Sequence, residues 1–212
     1  PMGSIKMVLN MLMLNLPVEK IGGEMYELLT MANRTTEDVF SLLDNLLKWT
    51  KSQIGNLNVV YQDVDAVEVV DSVIDVFNMV AGLKKITIRE EKPEKLPVCT
   101  DIDMLKTIIR NLLSNAIKFS NENSEVLVKM EEQGDTVVVS VKDSGCGIDE
   151  EGQQKLLHTD THFSTFGTNN EEGSGLGLLL CQDFAVKIGG KLWFTSKEGE
   201  GSTFYFSIPL KK

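Results

Sequence analysis

Gly173-Ser174-Gly175-Leu176-Gly177-Leu178 opens an apolar run with helical spacing, and Asp143-Ser144-Gly145-Cys146-Gly147-Ile148 closes an apolar strand-like one. Glycines two apart let backbone come close to a bulky anion, and the amides of a helix's first turn can hydrogen-bond phosphate oxygens. The two stretches therefore point to a phosphate-bearing ligand, with a tight turn before a helix as the plain alternative. Other nucleotide signatures fit poorly. No Gly-Lys-Ser/Thr follows these glycines, and Gly189-Gly190-Lys191-Leu192 lacks the P-loop hydroxyl. A dinucleotide fingerprint needs a strand directly before its glycines and an acid about 20 residues after them. Here a polar segment precedes them.

Upstream, residues 101–119 read as a helix capped by Asp101, with Met104, Leu105, Ile108, Ile109, Leu112, Ala116 and Ile117 as its apolar side. Asn111, Asn115 and Lys118 stand at i, i+4 and i+7 and share one face. Such a polar line either caps neighbouring loops at a solvated edge or forms a site. Amide oxygens one turn apart can hold Mg²⁺, which keeps several waters and takes its remaining ligands from nucleotide phosphates. Lys118 would neutralise phosphate. Asp143 either caps its own turn or accepts a hydrogen bond from an exocyclic amine such as adenine's.

Around these stretches the pattern predicts strands at 57–63, 85–90, 97–100, 125–130, 136–142, 191–196 and 203–208, and a further amphipathic helix at 66–82. Strand pairs interspersed with helices make an α+β fold, a two-layer α/β sandwich whose mixed sheet carries its helices on one face. Before Gly55-Asn56 the period is helical throughout. Met2, Ile5, Leu9, Leu12 and Leu16 form one seam, Pro17 breaks it, and Met25, Leu28, Ala32, Thr35, Val39, Leu42, Leu46 and Trp49 form a second. The expectation is a helical hairpin at 1–55 that pairs with another copy as a four-helix bundle, followed by an α/β domain at 57–212. Six of the nine methionines fall in the first 31 residues, where they serve as adaptable core filler.

With 42% hydrophobic residues in 212, the chain can bury a core, and its net charge of −10 argues against nucleic acid or an anionic membrane as partner. Cys99, Cys146 and Cys181 are odd in number and lack metal-ligand spacing, the usage of a reduced compartment. There is no run of 18 apolar residues, so a cytoplasmic location without membrane contact by this segment is expected.

Taken together the motifs resemble those of sensor histidine kinases. Asn111-Leu112-Leu113-Ser114-Asn115-Ala116-Ile117-Lys118-Phe119-Ser120 resembles the N box, and 143–148 resembles the first glycine box. Phe163 stands where the F box lies, 173–178 resembles the second glycine box, and Gly199-Glu200-Gly201-Ser202-Thr203-Phe204 the closing Gly-x-Gly-Ser/Thr-x-Phe segment. All five follow the family's order. The resemblance covers 57–210; the helices before it are similar, more weakly, to the dimerisation and histidine-phosphotransfer hairpin.

That resemblance implies a Bergerat-type ATP site. Asn115 would be the principal Mg²⁺ ligand with Asn111 assisting, Lys118 would touch phosphate, and Phe119 would lie against adenine. Asp143 would read the adenine amine, Gly147 would admit the ring, and Thr203 would join the same water network, with Gly145, Ile148 and Phe163 also lining the nucleotide. Residues 157–172 would form a lid, and Gly173, Ser174, Gly175, Leu176, Gly177 and Leu178 would cradle the phosphates. The reaction implied is phosphoryl transfer from ATP to a histidine, and thence to an aspartate on a response-regulator receiver domain, by a homodimer.

Two departures stand out. The only histidines, His158 and His162, lie in the lid stretch. The family's acceptor stands in a His-Asp/Glu-x-x-x-Pro stretch, and Pro1 would be its proline, with the histidine upstream. Phe166 also occupies a place where relatives often carry a basic residue able to reach the γ-phosphate. Alternatives are an ATP-binding pseudokinase scaffold and, less well matched, a Bergerat-fold ATPase, which would need an acid where Asn111 stands.

Overall fold

The computed structural model describes residues 58–157, 168 and 176–210, together with scattered positions between 11 and 50. The chain divides into two compact units, Pro1–Gln53 and Ile54–Lys212. In the first, positions 25, 26, 28–32, 36, 39, 43, 46, 47 and 50 are helical. There the hydroxyls of Thr30, Thr36 and Thr50 donate to the carbonyls of Tyr26, Ala32 and Leu46, each one turn back, at 2.8, 2.8 and 2.7 Å. Met25, Leu28, Val39, Leu43 and Leu46 stay exposed within this chain. The first expected helix, apart from Met11, and Pro17 lie outside the described residues.

The second unit runs β1 (Gln62–Asp65), α1 (Ala66–Leu83), β2 (Thr87–Glu91), β3 (Pro97–Thr100), α2 (Ile102–Phe119), β4 (Glu125–Gln133) and β5 (Thr136–Lys142). It continues through α3 (Glu150–Leu157), α4 (Leu176–Lys187), β6 (Leu192–Lys197) and β7 (Gly201–Pro209). Five strands form one sheet in the order β2-β4-β5-β7-β6, parallel only between β2 and β4. β1 and β3 make a separate antiparallel pair.

Alternation builds the core. Val126, Val128 and Met130 of β4, Val137, Val139 and Val141 of β5, and Phe204, Phe206 and Ile208 of β7 are all buried. The intervening Leu127, Lys129, Ser140, Thr203 and Tyr205 are half-buried on the other face. The helices supply the facing layer: Val70, Val73 and Ile74 of α1, Leu105, Ile108, Ile109, Leu112 and Leu113 of α2, and Leu180 and Phe184 of α4. This is the mixed-sheet α/β sandwich expected, with α2 as its most deeply buried helix.

The two long helices start by the same device. Asp65 Oδ1 accepts from Val67 N and Leu96 N, both at 3.0 Å. Asp101 Oδ1 accepts from Asp103 N and Met104 N at 3.0 Å, and its Oδ2 from Val60 N at 2.9 Å. That last bond explains a shift from expectation. The strand expected at 57–63 is instead Gln62–Asp65, because the Val60 amide is drawn to the α2 cap and not to a ladder. A second difference is α3, which the pattern did not predict. Asp149 starts it, taking Gly152 N on Oδ1 at 2.8 Å, with Glu150 and Glu151 in the first turn.

No described helix is long and apolar enough to cross a membrane. Asp101→Ala removes the two carboxylate oxygens that accept from the Asp103, Met104 and Val60 amides and should cost about 1–2 kcal/mol, read as a lower urea midpoint with unchanged slope. An unchanged midpoint would show that the cap does not hold α2.

Candidate functional site

α2 carries the polar line on an otherwise buried helix. Asn111, Asn115 and Lys118 are each half-buried, while Leu112, Leu113, Ala116 and Ile117 between them are buried. Asn111 is fixed: its Nδ2 donates to Thr107 O at 2.9 Å. Its Oδ1 lies where the first turn of α4 arrives, since a Cβ on Gly177 would come within 2.8 Å of that oxygen. A side chain at 177 would force the Asn111 amide out of its present place. Below them Cys181 is fully buried, and its thiol is pushed up by burial, opposed by a hydrogen bond with the Asn111 side chain. One turn further along α2, Asn115 makes no side-chain hydrogen bond among the described residues. Its amide is open to a ligand. The Lys118 ammonium lies 4.9 Å from the centre of the Phe119 ring, which is half-buried beside it.

The end of β5 brings Asp143 to the same region. The residue is only 4% exposed. Oδ1 accepts from Gly145 N at 2.9 Å and from Ser202 N at 3.1 Å, and the Asp143 N–H donates to Ser202 O at 2.9 Å. Oδ2 makes no hydrogen bond among the described residues. Both readings left open by the sequence thus have a place: one oxygen closes the turn, the other is free to accept. Burial raises the carboxyl above its ordinary value of 3.8, and the Gly145 and Ser202 amides offset part of that.

Glycine is required where the loop 143–148 meets its neighbours. A Cβ on Gly145 would sit 2.1 Å from Phe119 O, and one on Gly147, whose φ is +65°, 2.0 Å from Lys197 O. The β6–β7 turn locks on from the other side. Gly199 N donates to Cys146 O at 2.7 Å, and Ile148 N donates to Ser196 Oγ at 2.9 Å. Ser196 Oγ is also within 2.9 Å of Ser202 Oγ, and Gln153 Nε2 donates to Ile148 O at 2.7 Å.

The structure thus gathers Asn111, Asn115, Lys118 and Phe119 from α2, Asp143, Gly145, Gly147 and Ile148 from the loop after β5, and the α4 start at Leu176, Gly177 and Leu178. Thr203 stands apart from this set. It is Ser202 that bonds Asp143, whereas Thr203 pairs across the sheet with Lys142 and Thr195 and stands on the opposite face of β7. Phe163, Gly173, Ser174 and Gly175 lie outside the described residues, as do His158, His162 and Phe166. Missed were the contacts of Ser196 and Gln153, which hydrogen-bond to Ile148, and of Lys84 and Thr168, which donate to carbonyls at the end of α2. No periodicity marks them; Ser202 alone had a signal, standing at the Ser/Thr position of its motif.

The donor set fits Mg²⁺ held jointly with phosphates. Among the described residues, Asn115 offers a neutral oxygen with no competing hydrogen-bond partner, and no cluster of three or more histidine, cysteine or acidic residues occurs to hold a metal alone.

Residues 100–212 match the family described as histidine kinase-, DNA gyrase B-, and HSP90-like ATPases. The chain belongs to that family. Within these ATPases its similarities run to histidine kinases. It is 30% identical over 171 residues to the adaptive-response sensory kinase SasA of Rippkaea orientalis, covering 80% of this chain and 43% of the kinase. The chain therefore spans less than half of that relative. Among solved structures, the catalytic domain of histidine kinase ThkA superposes with a TM-score of 0.62 at 30% identity, covering 71% of this chain and 96% of that domain. Full-length ShkA in complex with AMPPNP shares the fold at a TM-score of 0.70 and 22% identity, over 100% of this chain and 45% of ShkA.

The raised Asp143 carboxyl gives a signed prediction. A carboxyl whose folded pKa is raised costs stability above that pKa and none below its unfolded value. Asp143→Asn keeps an acceptor oxygen for the Gly145 and Ser202 amides, so the ligand-free variant should melt above the parent at pH 7. The gap should close as pH falls to about 3.8, where the parent carboxyl is protonated as well. A variant that melts lower at pH 7 would contradict this account.

Proposed function

We propose that this chain is the catalytic core of a sensor histidine kinase, binding Mg-ATP and passing its γ-phosphoryl group to a histidine and then to an aspartate of a response-regulator receiver domain. The observation that carries the reading is the buried Asp143, with one oxygen saturated by backbone amides and the other free, beside Phe119 and the Asn115–Lys118 face of α2. A carboxylate in that setting accepts from an exocyclic amine and refuses a carbonyl, which selects adenine over guanine. Asn115 and Asn111 would hold Mg²⁺, which supplies charge neutralisation on the phosphates. Lys118 adds a cation, and the start of α4 offers the positive end of its dipole. Such transfer rests on positioning and charge, the two things these residues provide.

Residues 157–172 would be the lid and residues 1–55, which contain no histidine, the hairpin that makes the homodimer. The exposed Met25, Leu28, Val39, Leu43 and Leu46 support a face that pairs with a second copy. Here the protein acts in the cytoplasm, without nucleic acid. A second reading is an ATP-binding scaffold without transfer: the lid stretch carries an aromatic ring at Phe166, and such a ring does not neutralise a γ-phosphate.

Calorimetric titration with Mg-ADP, Mg-AMPPNP and Mg-GTP tests the site. The adenine nucleotides should bind and GTP should not. A hydrogen bond to a charged group contributes about 1.5–3 kcal/mol, so Asn115→Ala and Asp143→Ala should each weaken Mg-AMPPNP about ten- to a hundredfold. Equal affinity for GTP, or no loss in Asn115→Ala, would remove these roles. ATP binding without phosphate transfer to a supplied histidine-bearing hairpin would favour the scaffold.

A further inference from the structure

The C-terminal end of α2 is held by a lysine that the nucleotide reading leaves unused. Lys84, which ends α1, is only 7% exposed. Its ammonium donates to Ile117 O at 3.1 Å, to Lys118 O at 2.8 Å and to the Thr168 hydroxyl at 2.6 Å. That hydroxyl accepts from the ammonium and has its own proton for Ser120 O at 2.8 Å, with Lys118 O at 3.1 Å as the other choice. The Thr168 amide also donates to Lys118 O, at 3.3 Å.

An α-helix leaves its last four carbonyls without intrahelical partners. In α2 three of the four have hydrogen-bond partners and the fourth has a close backbone neighbour. Ala116 O takes Ser120 N at 3.0 Å, Ile117 O and Lys118 O take Lys84, and Phe119 O is pressed on Gly145. A cation here also opposes the negative end of the α2 dipole. Stability alone is a weak account of the arrangement, because burying an ammonium carries a desolvation cost that a well-packed apolar residue would avoid. What the lysine adds is direction. It draws the end of α1, the end of α2 and Thr168 onto one point, immediately behind the side chains of Lys118 and Phe119.

We propose that Lys84 and Thr168 are positioning residues of the nucleotide site, fixing the last turn of α2 so that Lys118 and Phe119 meet the phosphates and the adenine. This rests on the nucleotide reading above. Neither residue touches the nucleotide; they act through the Ile117, Lys118 and Ser120 carbonyls.

The test uses Thr168, which is exposed and whose replacement spares the core. Thr168→Val keeps the shape and removes the hydroxyl; Thr168→Ser keeps the hydroxyl and removes the methyl. Mg-AMPPNP affinity of the whole chain is measured by calorimetry, beside the melting temperature without nucleotide. Losing a hydrogen-bonded hydroxyl that joins Lys84 to the end of α2 should weaken binding about fivefold or more in Thr168→Val, with the ligand-free melt within a degree or so of the parent. Thr168→Ser should bind as the parent does. Lys84→Met should weaken binding at least as much, and adding Thr168→Val to it should cost little further, since both act on the same carbonyls. Parent-like binding by Thr168→Val, or a Thr168→Ser as weak as Thr168→Val, overturns the proposal while leaving the nucleotide site standing. A parent chain that takes no adenine nucleotide overturns the nucleotide reading, and this inference with it.

Discussion

The carbonyl of Phe119 and the Cα of Gly145 are packed so closely that no side chain fits between them. This contact joins the last turn of the most buried helix to the loop that follows the central strand β5. Because it is backbone against backbone, it leaves no room for adjustment by rotamer. The other approaches are arranged around it. Gly147 admits Lys197 O, Gly201 admits Asp143 O and Gly177 admits Asn111, so three separate parts of the chain close on the region through glycines. The site is thus a junction of main chain, with the functional side chains standing at its rim.

Asp143 shows how such a junction balances binding against stability. A carboxyl at that depth is held in part by amides from its own turn and from β7, yet burial still disfavours its charge. An apolar or amide side chain would sit there more easily. The charge makes sense as an acceptor for a donor supplied from outside the chain, and the position trades some stability of the empty protein for selectivity toward what fills it.

Much of the second unit was legible because one physical rule governs each part. Alternation at Val126, Val128 and Met130 fixes which face of β4 is inside, and Asp101 before an apolar 3.6 period marks the start of α2 to the residue. The polar line of Asn111, Asn115 and Lys118 was visible for the same reason, being the exception to that period. Where the reading slipped, a tertiary contact had overridden a local one. The strand before Asp65 came out short because the Val60 amide goes to Asp101, 41 residues away. Ser202, which bonds Asp143, is one residue from Thr203, and in a strand one residue means the opposite face. α3 escaped notice although Asp149-Glu150-Glu151 is a fair helix start, because Gly152 and the short apolar span hide the period. The Lys84–Thr168 bond spans 84 residues and leaves no pattern at all.

β5 and β7 are neighbours in the sheet, paired from Thr136↔Pro209 to Lys142↔Thr203. Everything between Lys142 and Gly201, including α3, α4, β6 and the glycine-rich stretch before α4, is an excursion out of what is otherwise a single hairpin. The Asp143–Ser202 backbone bond closes its neck. Loop-closure entropy grows only with the logarithm of length, so making such an excursion half as long again adds about 0.4 kcal/mol. The part of the chain proposed to meet the nucleotide can therefore lengthen, shorten or change composition at small thermodynamic cost, while the two strands at its base keep the same register.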